Sequence, residues 1–163
     1  MTQTIFNPPV ETYIPLATVT TSGGEATITF SSIPQDYADL VLTISGTASS
    51  PTNMSIGGTS GRYIEMRGIG GNNTPVTARD TGRTYAAGFT SSTVASNIIH
   101  IMDYTKTTKF KTIIAREGDT SNRTSLRTVS WDTLSAVSSI TLQLEGAITF
   151  NANCVASLYG IEG

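Results

Sequence analysis

Alternation of apolar and polar residues is the feature that most constrains how this chain can fold. No window shows the 3.6-residue period of an amphipathic helix, whereas period-two segments recur along the chain, so the fold is predicted to be all-β. In the three clearest segments the predicted inward faces consist of Ala26, Ile28 and Phe30, of Leu40, Leu42 and Ile44, and of Ile140, Leu142 and Leu144.

Seven further segments are predicted strands: "IPLATVT", "GRYIEMRG", "RTYAAGF", "NIIHIMDY", "KFKTIIARE", "SLRTVSW" and "CVASLYGI". About ten short strands in one domain predict an antiparallel β-sandwich, jelly-roll-like rather than immunoglobulin-like, because the Cys and Trp signature is missing. "NIIHIMDY" is apolar on both parities, which is typical of a central strand. The Gly-rich and Asn-rich segments 47–61 and 68–82 are predicted to be long loops, where binding residues are common.

The stretch "TFSSIPQDYADLVLTISG", residues 29–46, contains a break between two predicted strands. Pro34 has no backbone N–H and therefore stops strand pairing. We expect the chain to cross here from one sheet to the other, with Tyr37 holding the corner by packing.

The first twelve residues differ from the rest, so we divide the chain into an extended N-terminal arm, 1–12, and one sandwich domain, 13–163. The arm shows no alternation, and Pro8 and Pro9 impose an extended path. Ile5 and Phe6 are its apolar pair. Two interpretations remain open, a frayed terminus and an arm that docks on a neighbouring subunit.

Composition argues against several classes of partner. Charged residues make up 13% of the chain, against roughly 25% in soluble domains, and the net charge is −2. No nucleic-acid partner is expected, because phosphate binding needs clustered Lys and Arg. No apolar run is long enough to cross a bilayer, so no membrane partner is predicted. The single cysteine, Cys154, is predicted to be buried.

Candidate chemistry is sparse. The single histidine, His100, lies mid-strand and is predicted to be structural, either packed or at a subunit contact. Glu117, Asp119 and Asn122 superficially resemble a cation loop, but a polar hairpin turn explains them without an ion. We therefore predict no catalytic, cofactor-binding or metal-binding residues, no cofactor and no enzymatic activity. Aromatic side chains that could form a glycan platform are Tyr63, Tyr85, Phe89, Tyr104 and Trp131.

Four blocks in order carry a family resemblance: "ITFSSIPQDYADLVLTIS", "IMDYTKTTKFKTIIA", the lone Trp131, and "ITLQLEGAITFNANCVASLYGIEG". "IPQDYADL" (33–40) and "SLYGI" (157–161) are the most diagnostic. This pattern resembles a family of bacteriophage virion structural proteins, known especially from cyanophages and other marine phages. It spans nearly the whole chain beyond the arm.

The resemblance implies a capsid decoration (cement) protein, a homotrimer on the outer capsid surface of the virion, assembled in the host cytoplasm. Its implied partner is the major capsid protein, and the implied contact residues in the arm are Ile5, Phe6, Pro8 and Pro9. The alternative is a phage tail or fibre module that binds a host-surface glycan, which the long loops and tyrosines would favour. A third interpretation is an enzyme, such as a depolymerase.

Overall fold

The fold of the protein is given by a computed structural model that describes residues 12–57, 61–69, 72–120 and 123–163. Within these ranges the chain forms twelve strands and no helix, which confirms the all-β prediction. The strands are β1 (Tyr13–Thr20), β2 (Thr27–Phe30), β3 (Asp39–Gly46), β4 (Thr52–Ile56), β5 (Gly61–Ile69), β6 (Asn72–Thr81), β7 (Tyr85–Phe89), β8 (Ala95–Met102), β9 (Lys111–Asp119), β10 (Arg123–Trp131), β11 (Ile140–Leu144) and β12 (Val155–Ile161).

Two antiparallel sheets pack as a sandwich, as predicted. The large sheet has eight strands in the order β1-β12-β3-β8-β9-β10-β5-β6, and the small sheet has four in the order β2-β11-β4-β7. Strand β7 contacts β8, β9 and β10 across the interior. Because four strands face eight, the small sheet covers only part of the large one.

Each sheet interleaves strands from the two ends of the chain. β1 and β3 flank β12, while β2 and β4 flank β11. The hairpins β9–β10 and β5–β6 are both added to the large sheet beyond β8. These two hairpins are the reason why one sheet is twice as wide as the other.

The predicted inward faces are buried as expected, with one exception. Alternation places one set of side chains in the core because consecutive strand residues point to opposite faces. Ala26 is exposed, since β2 begins one residue later, at Thr27. The predicted inward residues that lie in the core are Ile28, Phe30, Leu40, Leu42, Ile44, Ile140, Leu142 and Leu144, together with Trp131 and Cys154.

Two strands lie in segments that were predicted to be loops, and that prediction is wrong. β4 falls inside 47–61, and β6 falls inside 68–82. In β4 only Met54 and Ile56 are buried, which is too short an alternation to recognise. β6 is the edge strand of the large sheet and pairs only with β5. Its sequence, "NNTPVTARDT", has no strong apolar pattern from which a strand could be predicted.

The chain crosses between the sheets at the predicted break, because β2 belongs to the small sheet and β3 to the large one. Tyr37 packs flat on Gly160, where a Cβ atom would overlap its ring. The Tyr104 hydroxyl donates a hydrogen bond to the Pro34 carbonyl, and the Tyr37 N–H donates to the Tyr104 Oη at 3.4 Å. Two tyrosines hold the corner, of which the sequence indicated one.

Candidate functional site: the open face of the large sheet

The outer surface of the large sheet, which we call the open face, carries large apolar side chains. In β8, β9 and β10 every second residue is buried against the small sheet, and the residues between them point outward. Exposed fractions run from 38% for Ile114 to 60% for Ile64. The exposed apolar residues of this face are Ile64, Met66, Ile98, Ile114, Leu126, Val155 and, on the edge strand β1, Tyr13.

Strand register brings these residues together in two rows. The first row runs Met66, Leu126, Arg116, Ile98, Thr43, and the second runs Ile64, Thr128, Ile114, His100, Val41. Directly opposed side chains have Cβ atoms about 4.5–5.5 Å apart, so neighbours within a row touch. Single exposed apolar residues are common on proteins, whereas several on one face mark a candidate interaction surface, although Arg116 and Thr128 stand between some of these.

Few charged groups interrupt the open face. Arg116 lies near its middle and has no carboxylate partner among the described residues. His100 points outward with a side chain 37% exposed, and its Nε2 lies 2.9 Å from Asp39 Oδ2. Asp39 Oδ1 also accepts a hydrogen bond from the Asp103 N–H at 2.8 Å. The half-buried histidine is thus held by a carboxylate on the open face.

The two ends of the open face differ in shape. At the β5 end, Ile64, Met66 and Leu126 project from neighbouring strands, and we call this group the ridge. Towards β1 there is a shallow depression of about 290 Å³. Its lining residues are Tyr13, Val41, Thr43, Ile98, Arg116 and Tyr159. The rings of Tyr13 and Tyr159 meet edge to face, with centroids 6.5 Å apart.

Beneath the ridge, the interior is charged instead of apolar. Arg127, whose side chain is 3% exposed, lies 3.1 Å from Glu65 and 3.4 Å from Glu117. Its guanidinium also donates to the Ala87 carbonyl at 2.7 Å and to Asn53 Oδ1 at 3.3 Å. Alternation is therefore inverted in one part of β5 and β10, where Glu65 and Arg127 point inward while the apolar ridge points to solvent; farther along β10, Val129 and Trp131 point into the core as usual.

The suspected cation loop belongs to this interior network. Glu117 pairs with Arg123 and accepts a hydrogen bond from Ser125 at 3.1 Å, while Asp119 lies 3.4 Å from the Arg123 Nε. Asn122 lies outside the described residues. In the described part of the chain, no three His, Cys, Asp or Glu side chains are close enough together to hold a metal ion. The carboxylates of Glu117 and Asp119 are thus paired with arginines.

The five aromatic side chains that could have formed a glycan platform do not form an exposed one. Tyr85, Phe89, Tyr104 and Trp131 are buried in the core, and Tyr63 is half-buried with its ring centroid 5.3 Å from that of Tyr85. A platform needs aromatic faces that are open to solvent.

Tyr85 serves the interior instead. Its hydroxyl donates to Glu145, and burial, together with that carboxylate, raises the pKa of Tyr85 to about 12. A pocket of about 110 Å³ lies beside it, lined by Arg83 and Glu145 among others. Because Arg83 and Glu145 already face each other at 4.0 Å, this pocket offers no unpaired charge of these two to a ligand.

The predicted contact residues of the arm, Ile5, Phe6, Pro8 and Pro9, lie outside the described residues. The described chain begins at Thr12 and enters β1, an edge strand of the large sheet. Because the first residue of β1, Tyr13, lines the depression, the arm joins the domain at the open face.

Comparison with protein-family models, with curated proteins and with solved structures finds no match for this chain. Within the described ranges, no helix is long and apolar enough to cross a membrane. Function is therefore inferred from the geometry of the open face and from the blocks of sequence quoted above.

Proposed function

We propose that this chain is a bacteriophage virion structural protein, a capsid decoration (cement) protein that binds the outer capsid surface as a homotrimer and stabilises the shell. The observation that carries this proposal is the open face, because a group of large exposed apolar side chains on one face of a sheet is suited to protein contacts rather than to chemistry on a small molecule. The buried core residues, which hold the fold together, are different from the exposed residues of the open face.

Strand order supports the proposal, and we infer from it that the sandwich is a jelly roll with two added hairpins. Without β5–β6 and β9–β10, the remaining eight strands run β1-β12-β3-β8 and β2-β11-β4-β7. This interleaving produces the double-sheet jelly roll that viral capsid domains and lectins use. A fold alone does not determine function, so the open face remains the deciding feature.

The proposed mechanism is geometric. A subunit that touches two or more copies of the major capsid protein adds contact free energy only to the assembled shell, which stabilises the shell by mass action. The arm would add apolar burial through Ile5 and Phe6 once it becomes ordered on the capsid, at an entropic cost. The protein would act on the outer surface of the virion after assembly in the host cytoplasm.

The second candidate is a tail or fibre module that binds a host-surface glycan. The observation in its favour is the depression, where Tyr13 and Tyr159 lie beside Arg116. Saturable binding of one sugar class on a glycan array, lost in Tyr159→Ala, would favour this candidate over the cement protein. We expect no such binding.

We propose no enzymatic role. The cross-strand neighbours of His100 are Val41 and Ile114, so no hydroxyl or thiol lies directly opposite it on either adjoining strand. A polysaccharide depolymerase would need a pair of carboxylates at the site of cleavage. Turnover of a polysaccharide by the purified protein would contradict this proposal.

Shells that lack the protein provide the direct test of function. We expect the purified full chain to saturate such shells, and a chain lacking residues 1–12 to fold but not to bind. Circular dichroism checks the fold of the truncated chain, and co-sedimentation measures binding. If the full chain does not bind shells, the cement function is wrong; if the truncated chain still saturates them, only the role of the arm is wrong.

A further inference from the structure

We infer that the open face is the contact between copies of this chain, and that the contact is head-to-tail. The ridge of one copy, Ile64, Met66 and Leu126, packs into the depression of the next copy beside Tyr13, Ile98 and Tyr159. This inference rests on the proposed function for the number of copies. It adds the surface through which the homotrimer forms.

On β5 and β10, around Glu65 and Arg127, charged side chains point inward and apolar side chains point to solvent. A shift of one residue in strand register would exchange the two faces, so the register is determined by which face is to be buried. Here Glu65 and Arg127 are buried and paired, while Met66 and Leu126 remain exposed at 54% and 44%. Apolar side chains that are exposed above buried, ion-paired side chains reverse the usual order, and we take this to mean that another copy covers the ridge.

The size of the face is the second argument. Eight strands about 4.8 Å apart span roughly 35 Å, and five residues of each strand span roughly 17 Å, which gives a projected area of about 600 Å². A stable interface uses about 800 Å² of accessible surface per partner, which is of the same order. The ridge or the depression alone supplies about half of the face, so one contact is weak and two contacts per copy are needed.

The two ends of the open face, the ridge and the depression, differ, and this difference determines the symmetry of the contact between copies. In a twofold packing centred on Arg116, two guanidinium groups would face each other without a carboxylate. A head-to-tail contact instead places the ridge against the depression, so that unlike surfaces meet. Repetition of a head-to-tail contact gives a ring when the rotation closes, and each copy in a ring then makes two contacts.

Charge substitutions provide the first test. We expect native mass spectrometry and analytical ultracentrifugation of the full chain to give the mass of three copies. Met66→Glu in the ridge and Ile98→Glu in the depression should each weaken self-association at least about 30-fold, as expected for hot-spot residues. Ile98 is opposite Arg116 in the register, so the new carboxylate gains a partner and the fold should be retained. Leu134→Glu, at a 52% exposed residue outside the face, is the matched control and should leave the mass unchanged.

Cysteine cross-linking tests the head-to-tail geometry itself. Strands β5 and β8 are separated by β10 and β9, so residues 66 and 98 of one chain lie roughly 14 Å apart and cannot form an internal disulfide. When Met66→Cys chains are mixed with Ile98→Cys chains under mild oxidation, we expect covalent dimers. Neither variant should cross-link to itself. Self-cross-linking of either variant would indicate a twofold contact and would overturn the inference.

Other occupants of the face give different results. If the full chain is monomeric and deletion of residues 1–11 makes it self-associate, the face is covered by the chain's own N-terminal segment and the inference is wrong. A monomer that nevertheless saturates shells would overturn the inference but leave the cement function intact. A trimer that does not bind shells would contradict the cement function but leave the inference about the contact intact.

Discussion

The inner side of the large sheet has two regions that are filled by different kinds of side chain, one apolar and one charged. Under β12, β3 and β8 it is apolar, and Leu42 and Ile99 are fully buried. Under the ends of β9, β10 and β5 it is ionic, with Arg127 between Glu65 and Glu117. Burial of charge costs several kcal/mol per ion unless the ions pair, so the ionic region depends on complete pairing, whereas the apolar region depends on volume.

Loss of Arg127 should give the largest effect. Arg127→Met leaves Glu65 and Glu117 buried with one fewer cation, which should lower the free energy of unfolding by about 3–5 kcal/mol. Chemical denaturation measures the loss. Arg62→Met is the matched control, since Arg62 is 60% exposed and pairs with Asp132 at 3.3 Å. That surface pair should contribute under about 1 kcal/mol. Equal losses for the two variants would contradict the difference between the regions.

Truncation in the apolar region should cost slightly less. Leu42→Ala removes a fully buried side chain and should lower the free energy of unfolding by about 3 kcal/mol through lost burial and a cavity. Leu126→Ala, on the ridge, should change it by less than about 0.5 kcal/mol when the chain is diluted to a monomer. A large loss for Leu126→Ala in the monomer would show that the ridge is part of the core.

The corner between the sheets should be the next most sensitive region. Tyr37→Ala removes the ring that packs on Gly160 and should cost about 2 kcal/mol, because the ring is only half-buried. Tyr37→Phe keeps the ring and should behave like the unmodified chain. Thermal melting compares the three proteins. A small shift for Tyr37→Ala would mean that Tyr104 alone holds the corner.

The smallest predicted effect is the contribution of Lys111 to the pH dependence of stability. Burial lowers the pKa of Lys111 below its ordinary value of 10.5, although the nearby Asp103 opposes this. Below 10.5 the unfolded chain then binds more protons than the folded chain, so this residue makes stability rise with pH towards that value. Between about pH 7 and 9.5, below the range where tyrosines ionise, we expect this rise in the unmodified chain and a weaker one in Lys111→Met. Identical pH profiles would contradict it.

Alternation predicted the apolar region but not the ionic one. Inward residues such as Leu42 and Leu142 are apolar and recur with period two, so their faces were identified. In "YIEMRG" and "SLRTVSW" the pattern also has period two, but the sequence does not show that Glu65 and Arg127 point inward. Their partners come from distant strands, and ion pairing between such strands leaves no local pattern.

The two-sided apolar pattern of "NIIHIMDY" was a signal of the open face. β8 does lie centrally in the large sheet, between β3 and β9, as predicted. A strand in a two-layer sandwich is covered on one side only, however, so Ile98 remains 44% exposed. Apolar residues on the outer parity therefore indicated the exposed apolar side chains of the open face. The strand β4 was missed because its alternation is short, with only Met54 and Ile56 buried, and β6 was missed because its sequence has no strong apolar pattern.

The most direct test of the account is to locate the protein on the virus particle. Particles grown with a chain that carries a compact label after Gly163 can be imaged by electron cryomicroscopy. We predict regularly spaced label on the outer surface of the shell, in groups of three. Label confined to the tail or its fibres, or particles without label, would contradict the proposal that this sandwich decorates a capsid.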